Sequence, residues 1–287
     1  VKVAFLYPGG WVYEAVGNWL RTLARHSSVH EVVIASHPRA CEADVYLAVT
    51  VSDLYPRELI DRHLCVLAAD GKPFGVLHNN DCVPTPGHYP SFVWTRSGMQ
   101  ANHVYGPELV RMPVFGPLVP AATLPTCLAT FGHVEPKKHV REMGAWARSH
   151  GLSFYACGPD TLAVQYADYI DRCCEEGVQV ATYPWQSRVE DLADMFAPVS
   201  HFLFVLPTSK GGGGGSPTSP RYAGFFNRPV IVIDDEDTYR QDRYYVFGRL
   251  ENIDPLALPT FSLPCYEWSP DAYLGHLAAR VLAFWRC

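Results

Sequence analysis

Ser219-Pro220-Arg221 sits between two apolar runs, Phe202-Leu203-Phe204-Val205-Leu206 and Val230-Ile231-Val232-Ile233. Strand, loop, short helix and strand in that order make a βαβ unit. Ser219 suits the cap of the helix and Pro220 its first position. A helix that starts at the carboxyl end of a parallel strand presents free N–H groups and partial positive charge, which suits a phosphate. The planar fork of Arg221 adds donors of matching shape. The chemistry this predicts is a diphosphate cradle; an ordinary surface βα loop is the competing reading.

The loop inside this unit carries Gly211 to Gly215 followed by Ser216, the composition of an engineered flexible linker, and these glycines belong to no motif. Pro217 and Thr218 follow rather than Gly-Lys-Ser/Thr, so the loop is not a P-loop. The acidic run Asp234-Asp235-Glu236-Asp237 reads as a solvated turn after a strand, and no metal is assigned.

The 287 residues, 48% hydrophobic and 18% charged, describe a globular chain large enough for two domains. Nine cysteines, an odd number with no CxxC spacing, argue against a zinc site or a disulfide framework and fit a reducing cytoplasm. The uncharged stretch Met112 to Gly132 is interrupted by Pro113, Pro117, Pro120 and Pro125, so it reads as an interdomain connection and no transmembrane segment is expected. No signal peptide is expected, because Lys2 leads straight into a strand. A formal charge of -6 argues against broad charge-driven nucleic-acid binding.

The elements that must position these residues alternate. Strands are expected at Lys2–Tyr7, His30–Ser36, Asp44–Thr50, Leu64–Ala69, Pro73–His78 and Phe92–Trp94. Helices are expected after Pro8-Gly9-Gly10, with Val12, Val16, Trp19, Leu20 and Leu23 on one face, and at Pro56–Arg62. Beyond the proline-rich crossing the pattern restarts. Strands at Cys127–Phe131, Leu152–Cys157 and Val178–Thr182 alternate with helices at Lys138–Ser149, Thr161–Cys174 and Val189–Met195. An amphipathic helix, Pro270–Trp285, closes the chain. The predicted class is α/β: two Rossmann-like, doubly wound domains facing across a cleft, spanning 1–118 and 127–268. Residues 119–126 link them, and the helical tail 269–287 packs back on the first. Ligands in such sheets lie beyond the carboxyl ends of the strands.

Read in order, the loops resemble a GT-B glycosyltransferase of the family-4 group, a fold that works on nucleotide sugars. Phe5-Leu6-Tyr7-Pro8-Gly9-Gly10 is similar to that group's first βα turn, and Gly75-Val76-Leu77-His78-Asn79-Asn80-Asp81 to the strand that ends in a His near the sugar. Thr130-Phe131-Gly132-His133-Val134-Glu135-Pro136-Lys137-Lys138 resembles the start of its donor domain. Tyr183 to Phe196 resembles the segment bordering the nucleotide base, and Arg228-Pro229-Val230-Ile231-Val232 the closing strand. There are departures: His133 stands where an Arg is frequent, and Tyr222 stands nearest one of two frequent Glu positions.

The resemblance implies sugar transfer from a nucleotide-diphosphate sugar such as UDP-glucose to an acceptor hydroxyl, with no metal and no further cofactor. Gly132, Lys138, Ser219, Arg221 and Tyr222 would hold the donor, with Tyr183 and Trp185 at the base. Gly9, Gly10 and Asn79 would line the sugar or acceptor side. His78 and Asp81 would be catalytic, as the proton acceptor or, for His78, against the transferred sugar. The acceptor is a small molecule or glycan; a hydroxymethylated base of phage DNA and a catalytically inactive binding protein are the alternatives. The sequence does not indicate the oligomeric state.

Overall fold

The computed structural model describes residues 1–7, 14–50, 57–78, 89–93, 108–109, 126–184, 189–205, 218–223, 226, 228–234, 245–260 and 269–286. The chain divides into two units. One comprises Val1–Pro113, Gly214–Ser216 and Tyr266–Cys287, the other Val114–Gly213 and Pro217–Cys265.

In the first unit, β1 (Lys2–Leu6), α1 (Glu14–His26), β2 (Glu31–Ala35), β3 (Val45–Thr50), α2 (Arg57–Ala69), β4 (Phe74–His78), β5 (Ser91–Val93) and β6 (Glu108–Leu109) follow one another. The sheet order is β2-β1-β3-β4-β5-β6, and every pairing is parallel. Strands buried on both faces need continuous apolar runs. Those of β1, β3 and β4 are buried along almost their whole length. Val16, Trp19, Leu20 and Leu23 of α1 are buried, as their spacing predicts.

The second unit contains β7 (Cys127–Phe131), α3 (Val140–Ser149), β8 (Ser153–Pro159), α4 (Asp160–Ala163), α5 (Ala167–Glu175), β9 (Gln179–Tyr183), β10 (His201–Val205), α6 (Thr218–Ala223), β11 (Val230–Ile233) and β12 (Tyr245–Phe247). Its sheet is again wholly parallel, in the order β12-β11-β10-β7-β8-β9. Three strands run outward from β7 in one direction and three from β10 in the other, the doubly wound Rossmann order.

Several local expectations change. The run Leu64–Ala69 is not a strand but the second half of α2. Leu64 and Leu67 are buried while Cys65 and Ala68 are exposed, the pattern of one helix face; a short apolar run alone does not separate strand from helix. The helix expected from Lys138 starts at Val140, because Pro136–Lys138 forms a 3-10 turn and His139 takes the left-handed conformation at φ 54°. Thr161–Cys174 is split into α4 and α5, and at Val189–Leu192 only a 3-10 turn forms. Ser219 lies inside the first turn of α6, which starts at Thr218, rather than capping it.

The last helix, α7 (Pro270–Trp285), begins where Ser269 Oγ accepts the Ala272 N–H at 3.1 Å. It packs on the first unit. Tyr273 meets Trp19 edge-on at 5.6 Å, and Trp285 Nε1–H donates to the Phe74 carbonyl at 2.7 Å. Asp271 accepts from Ser27 Oγ at 2.6 Å, Ser28 Oγ at 2.7 Å, Ser28 N at 3.0 Å and Val29 N at 3.1 Å. Burial would raise its pKa, but these four donors outweigh that and hold the carboxyl well below the usual range. No helix among the described residues is long and apolar enough to cross a membrane. Asp271→Ala is expected to lower stability by about 1–3 kcal/mol, because the α1–β2 turn loses its common acceptor. Urea denaturation of the full chain measures it.

Candidate functional site

In an open doubly wound sheet the ligand crevice lies where the strand order reverses, beyond the carboxyl ends. In the second unit that point is between β7 and β10. Gly132 follows β7 directly, and α6 is the first described element after β10. Gly132 has φ +114°, a region that an L side chain rarely enters, and a Cβ on it would lie 2.7 Å from Ser219 Oγ. Its N–H donates to the Cys157 carbonyl at 3.0 Å. From the other side, a Cβ on Gly158 would meet Gly132 O at 3.0 Å and Val134 Cγ2 at 2.8 Å. The backbone after β7 is therefore clamped between β8 and α6, and only glycines allow that approach.

An aromatic floor fixes the clamp from below. Phe131 packs on Phe196 at 5.1 Å and on Phe202 at 5.5 Å, and Phe226, just beyond α6, sits 5.0 Å from Phe196. Such tilted and edge-on pairs stabilise beyond their buried area. The buried Arg228 donates through Nε to the Val199 carbonyl at 2.8 Å and through its terminal nitrogen to Phe226 O at 3.1 Å. It ties the segment before β11 to the one before β10.

The loop leaving Gly132 carries the charge. Glu135 is 3% exposed. Lys137 Nζ stands 3.2 Å and His133 Nδ1 3.6 Å from its Oε1, and no well-aligned hydrogen bond reaches that oxygen; the Lys137 ammonium attracts it by charge. Burial would raise the Glu135 pKa, but the His133 contact and the Lys137 charge outweigh it and hold the carboxyl at about 2. Lys138 is half-buried. Burial pushes its pKa down, Glu135 opposes that and Lys137 reinforces it. Among the described residues, no carboxylate lies within ion-pair distance of its ammonium. A partly desolvated cation with no counter-ion is a ready anion ligand. Tyr183, at the end of β9, pairs with Pro159; burial raises its phenol pKa, so it is neutral.

His78 ends β4 in the first unit. It is 6% exposed, with Nδ1 2.9 Å from Thr50 Oγ1 and Nε2 3.0 Å from Ser91 Oγ. Burial lowers its pKa to about 4. The ring is neutral, one nitrogen donating and the other accepting, and each is engaged by a rotatable hydroxyl. This arrangement holds the ring in place through two uncharged partners.

The second unit places Gly132 against Ser219, with Lys138 six residues further along the loop that leaves Gly132. For Arg221 and Tyr222 the structure describes the helical backbone of α6 but not the side chains, and Gly9, Gly10, Asn79, Asp81 and Trp185 lie outside the described residues. Sequence reasoning passed over Glu135, whose burial no pattern announces, and over Thr50 and Ser91, which only the strand register brings to His78. No group of three or more His, Cys, Asp or Glu that could hold a metal occurs among the described residues.

Gly132→Ala is expected to cost roughly 1–3 kcal/mol in a denaturation experiment through backbone strain. Adding Ser219→Ala should recover the part due to the collision, since the next Ser219 atom is 3.8 Å away. His78 supplies a pH signature. With a pKa of about 4 folded against 6.5 when exposed, it lets the unfolded chain take the proton first. Its contribution is complete above 6.5 and falls on acidification towards 4, by roughly 3 kcal/mol. His78→Asn should flatten stability against pH in that window.

No protein-family model matches the chain, and no curated protein matches it in sequence. Among solved structures, AviGT4, a glycosyltransferase involved in avilamycin A biosynthesis, superposes with a TM-score of 0.61 at 17% identity, covering 100% of this chain and 97% of its own. Anabaena Alr3699/HepE, solved in complex with UDP, matches at TM-score 0.47 and 11% identity over 100% of this chain and 98% of its own. The α,α-trehalose 6-phosphate synthase of Burkholderia multivorans matches at 0.44 and 10% over 95% and 74%. At those scores neither adds to the assignment of the fold. Two wholly parallel Rossmann-like sheets in one chain, matched end to end by AviGT4, give this protein the fold of the GT-B glycosyltransferases.

Proposed function

We propose that the chain is a glycosyltransferase that takes a sugar from a nucleotide-diphosphate sugar, most simply a UDP-sugar, and passes it to an acceptor hydroxyl. The observation that carries this reading is the clamp at the strand-order reversal of the second unit. Gly132 stands against Ser219 Oγ there, and Lys138, without a carboxylate partner among the described residues, follows on the same loop. The likeness to AviGT4 supports it at the level of fold.

Transfer breaks the bond from the anomeric carbon to the diphosphate oxygen, and negative charge grows on the leaving group. Preorganised cations and N–H donors stabilise that charge most strongly where water is excluded. Lys138, Ser219 and the backbone at Gly132 fill this role, with Arg221 on α6 as a further donor. Tyr183, neutral at the end of β9, is assigned to the base with Trp185, and Tyr222 to the donor. On the first unit Gly9, Gly10 and Asn79 are assigned to the sugar and acceptor. Asp81 is assigned as proton acceptor and His78, its ring fixed by Thr50 and Ser91, to the contact with the transferred sugar.

Calorimetric titration with UDP, ADP, GDP and dTDP, followed by a nucleotide-release assay with UDP-sugars and a panel of small-molecule and glycan acceptors, tests the reading. UDP should bind, and Lys138→Met should weaken binding by about tenfold to a hundredfold, the loss of one charge-assisted contact. Failure of every nucleoside diphosphate to bind would sink the proposal. A bound UDP-sugar left intact with every acceptor would point to a binding protein instead.

A further inference from the structure

We infer that Glu135 is a positioning residue of the donor site: its buried carboxylate draws Lys137 and His133 onto itself and keeps Lys138 charged and available to a diphosphate. This rests on the proposed donor site. Three basic side chains, His133, Lys137 and Lys138, lie within six residues of Gly132, and one buried acid stands among them. Two of the three are within 3.6 Å of its Oε1, Lys137 at 3.2 Å and His133 at 3.6 Å. The third is turned into a less solvated place by a tight bend. Lys138 N–H donates to Glu135 O at 3.0 Å, and His139 N–H donates to Pro136 O at 3.0 Å. His139 itself takes the left-handed conformation, φ 54°, a strained one for a residue with a side chain. Its ring is held by Glu142 of α3, Nδ1 to Oε1 at 3.6 Å.

The charges bearing on Lys138 oppose one another. Glu135 favours the ammonium and Lys137 disfavours it, against a background of burial that also disfavours it. Glu142 of α3 is paired with His139, and α6 carries Ser219 and Arg221. The acid and its two partners therefore set how far up the pH scale Lys138 can still meet an anion. Without Glu135 the charges of Lys137 and Lys138 would be uncompensated and repel one another, and the less solvated Lys138 would lose its proton first.

The test reads Lys138 in two ways on the full-length protein. The first is trace acylation of its amine as a function of pH, followed by mass spectrometry, with no nucleotide present. The second is UDP affinity over the same pH range. Glu135→Gln should move the labelling curve of Lys138 to lower pH, and Lys137→Met should move it to higher pH. Glu135→Asp should return it towards the wild type. UDP binding in Glu135→Gln should weaken by about tenfold at about pH 9.5 and by less than about twofold at about pH 7. A merely structural role predicts equal weakening at every pH and an unmoved labelling curve, and that result overturns the inference. Opposite shifts in the two variants support it even where Glu135→Gln is less stable, because Lys137→Met removes no buried group. If the labelling curves shift as described but the wild type binds no nucleoside diphosphate, it is the donor-site reading that fails.

Discussion

The approach of Gly132 to Ser219 is the contact on which the second unit's site depends. Parallel strands end at one edge, so the turns that follow them crowd together, and crowding is worst where two adjacent strands send their chains to opposite faces. Here those strands are β7 and β10. The chain resolves the crowding by removing side chains at Gly132 and Gly158 and by seating the loop on the tilted and edge-on rings of Phe131, Phe196 and Phe202. The outcome is a rigid backbone edge next to a loop rich in basic groups. Rigidity matters here because donors that need not reorganise stabilise developing charge best.

Much of the fold was legible in the sequence because strands buried on both faces must be apolar throughout. β1, β3, β4, β7, β10 and β11 all announce themselves in that way. The edge strands β6 and β12 do not: the first is two residues long, and the second is half-buried along its length. The second half of α2 misled for the opposite reason. Leu64-Cys65-Val66-Leu67 is apolar at every position, and only packing shows that alternate residues do not share a face. Of the residues assigned to the proposed site, Gly132, Lys138 and Ser219 are chosen from residue type and order, and the structure sets Gly132 against Ser219. Glu135 could not be chosen in that way, since a carboxylate buried by its own basic neighbours has the same local sequence as one on a solvated turn.

The two units handle their polar groups by different means. In the first, His78 is buried and neutral, satisfied by Thr50 and Ser91, so its cost of burial is met by uncharged hydroxyls. In the second, Glu135 is buried and charged, satisfied by cations at the loop surface. Neutral satisfaction fixes geometry but adds no field. Charged satisfaction fixes geometry and also sets the potential felt by every ionisable group nearby. That difference matches the division of labour proposed for the units: one orients a nucleophile, and the other must tolerate a leaving dianion.

The chain passes between the two units more than once. The polypeptide leaves the first unit near Pro113, builds the second, and returns at Tyr266 to lay α7 against β3 and β4. Tyr273, Leu274, Leu277 and Val281 are fully buried on that face. Without α7 those contacts would open the sheet's face to water, at a cost of roughly 1.5–3 kcal/mol for each large side chain uncovered. That sum, about 6–12 kcal/mol, is comparable with the whole net stability of a domain, about 5–15 kcal/mol. The first unit therefore reaches its folded state only after the second has been traversed, and Asp271 fastens the returning helix at the turn that joins α1 to β2.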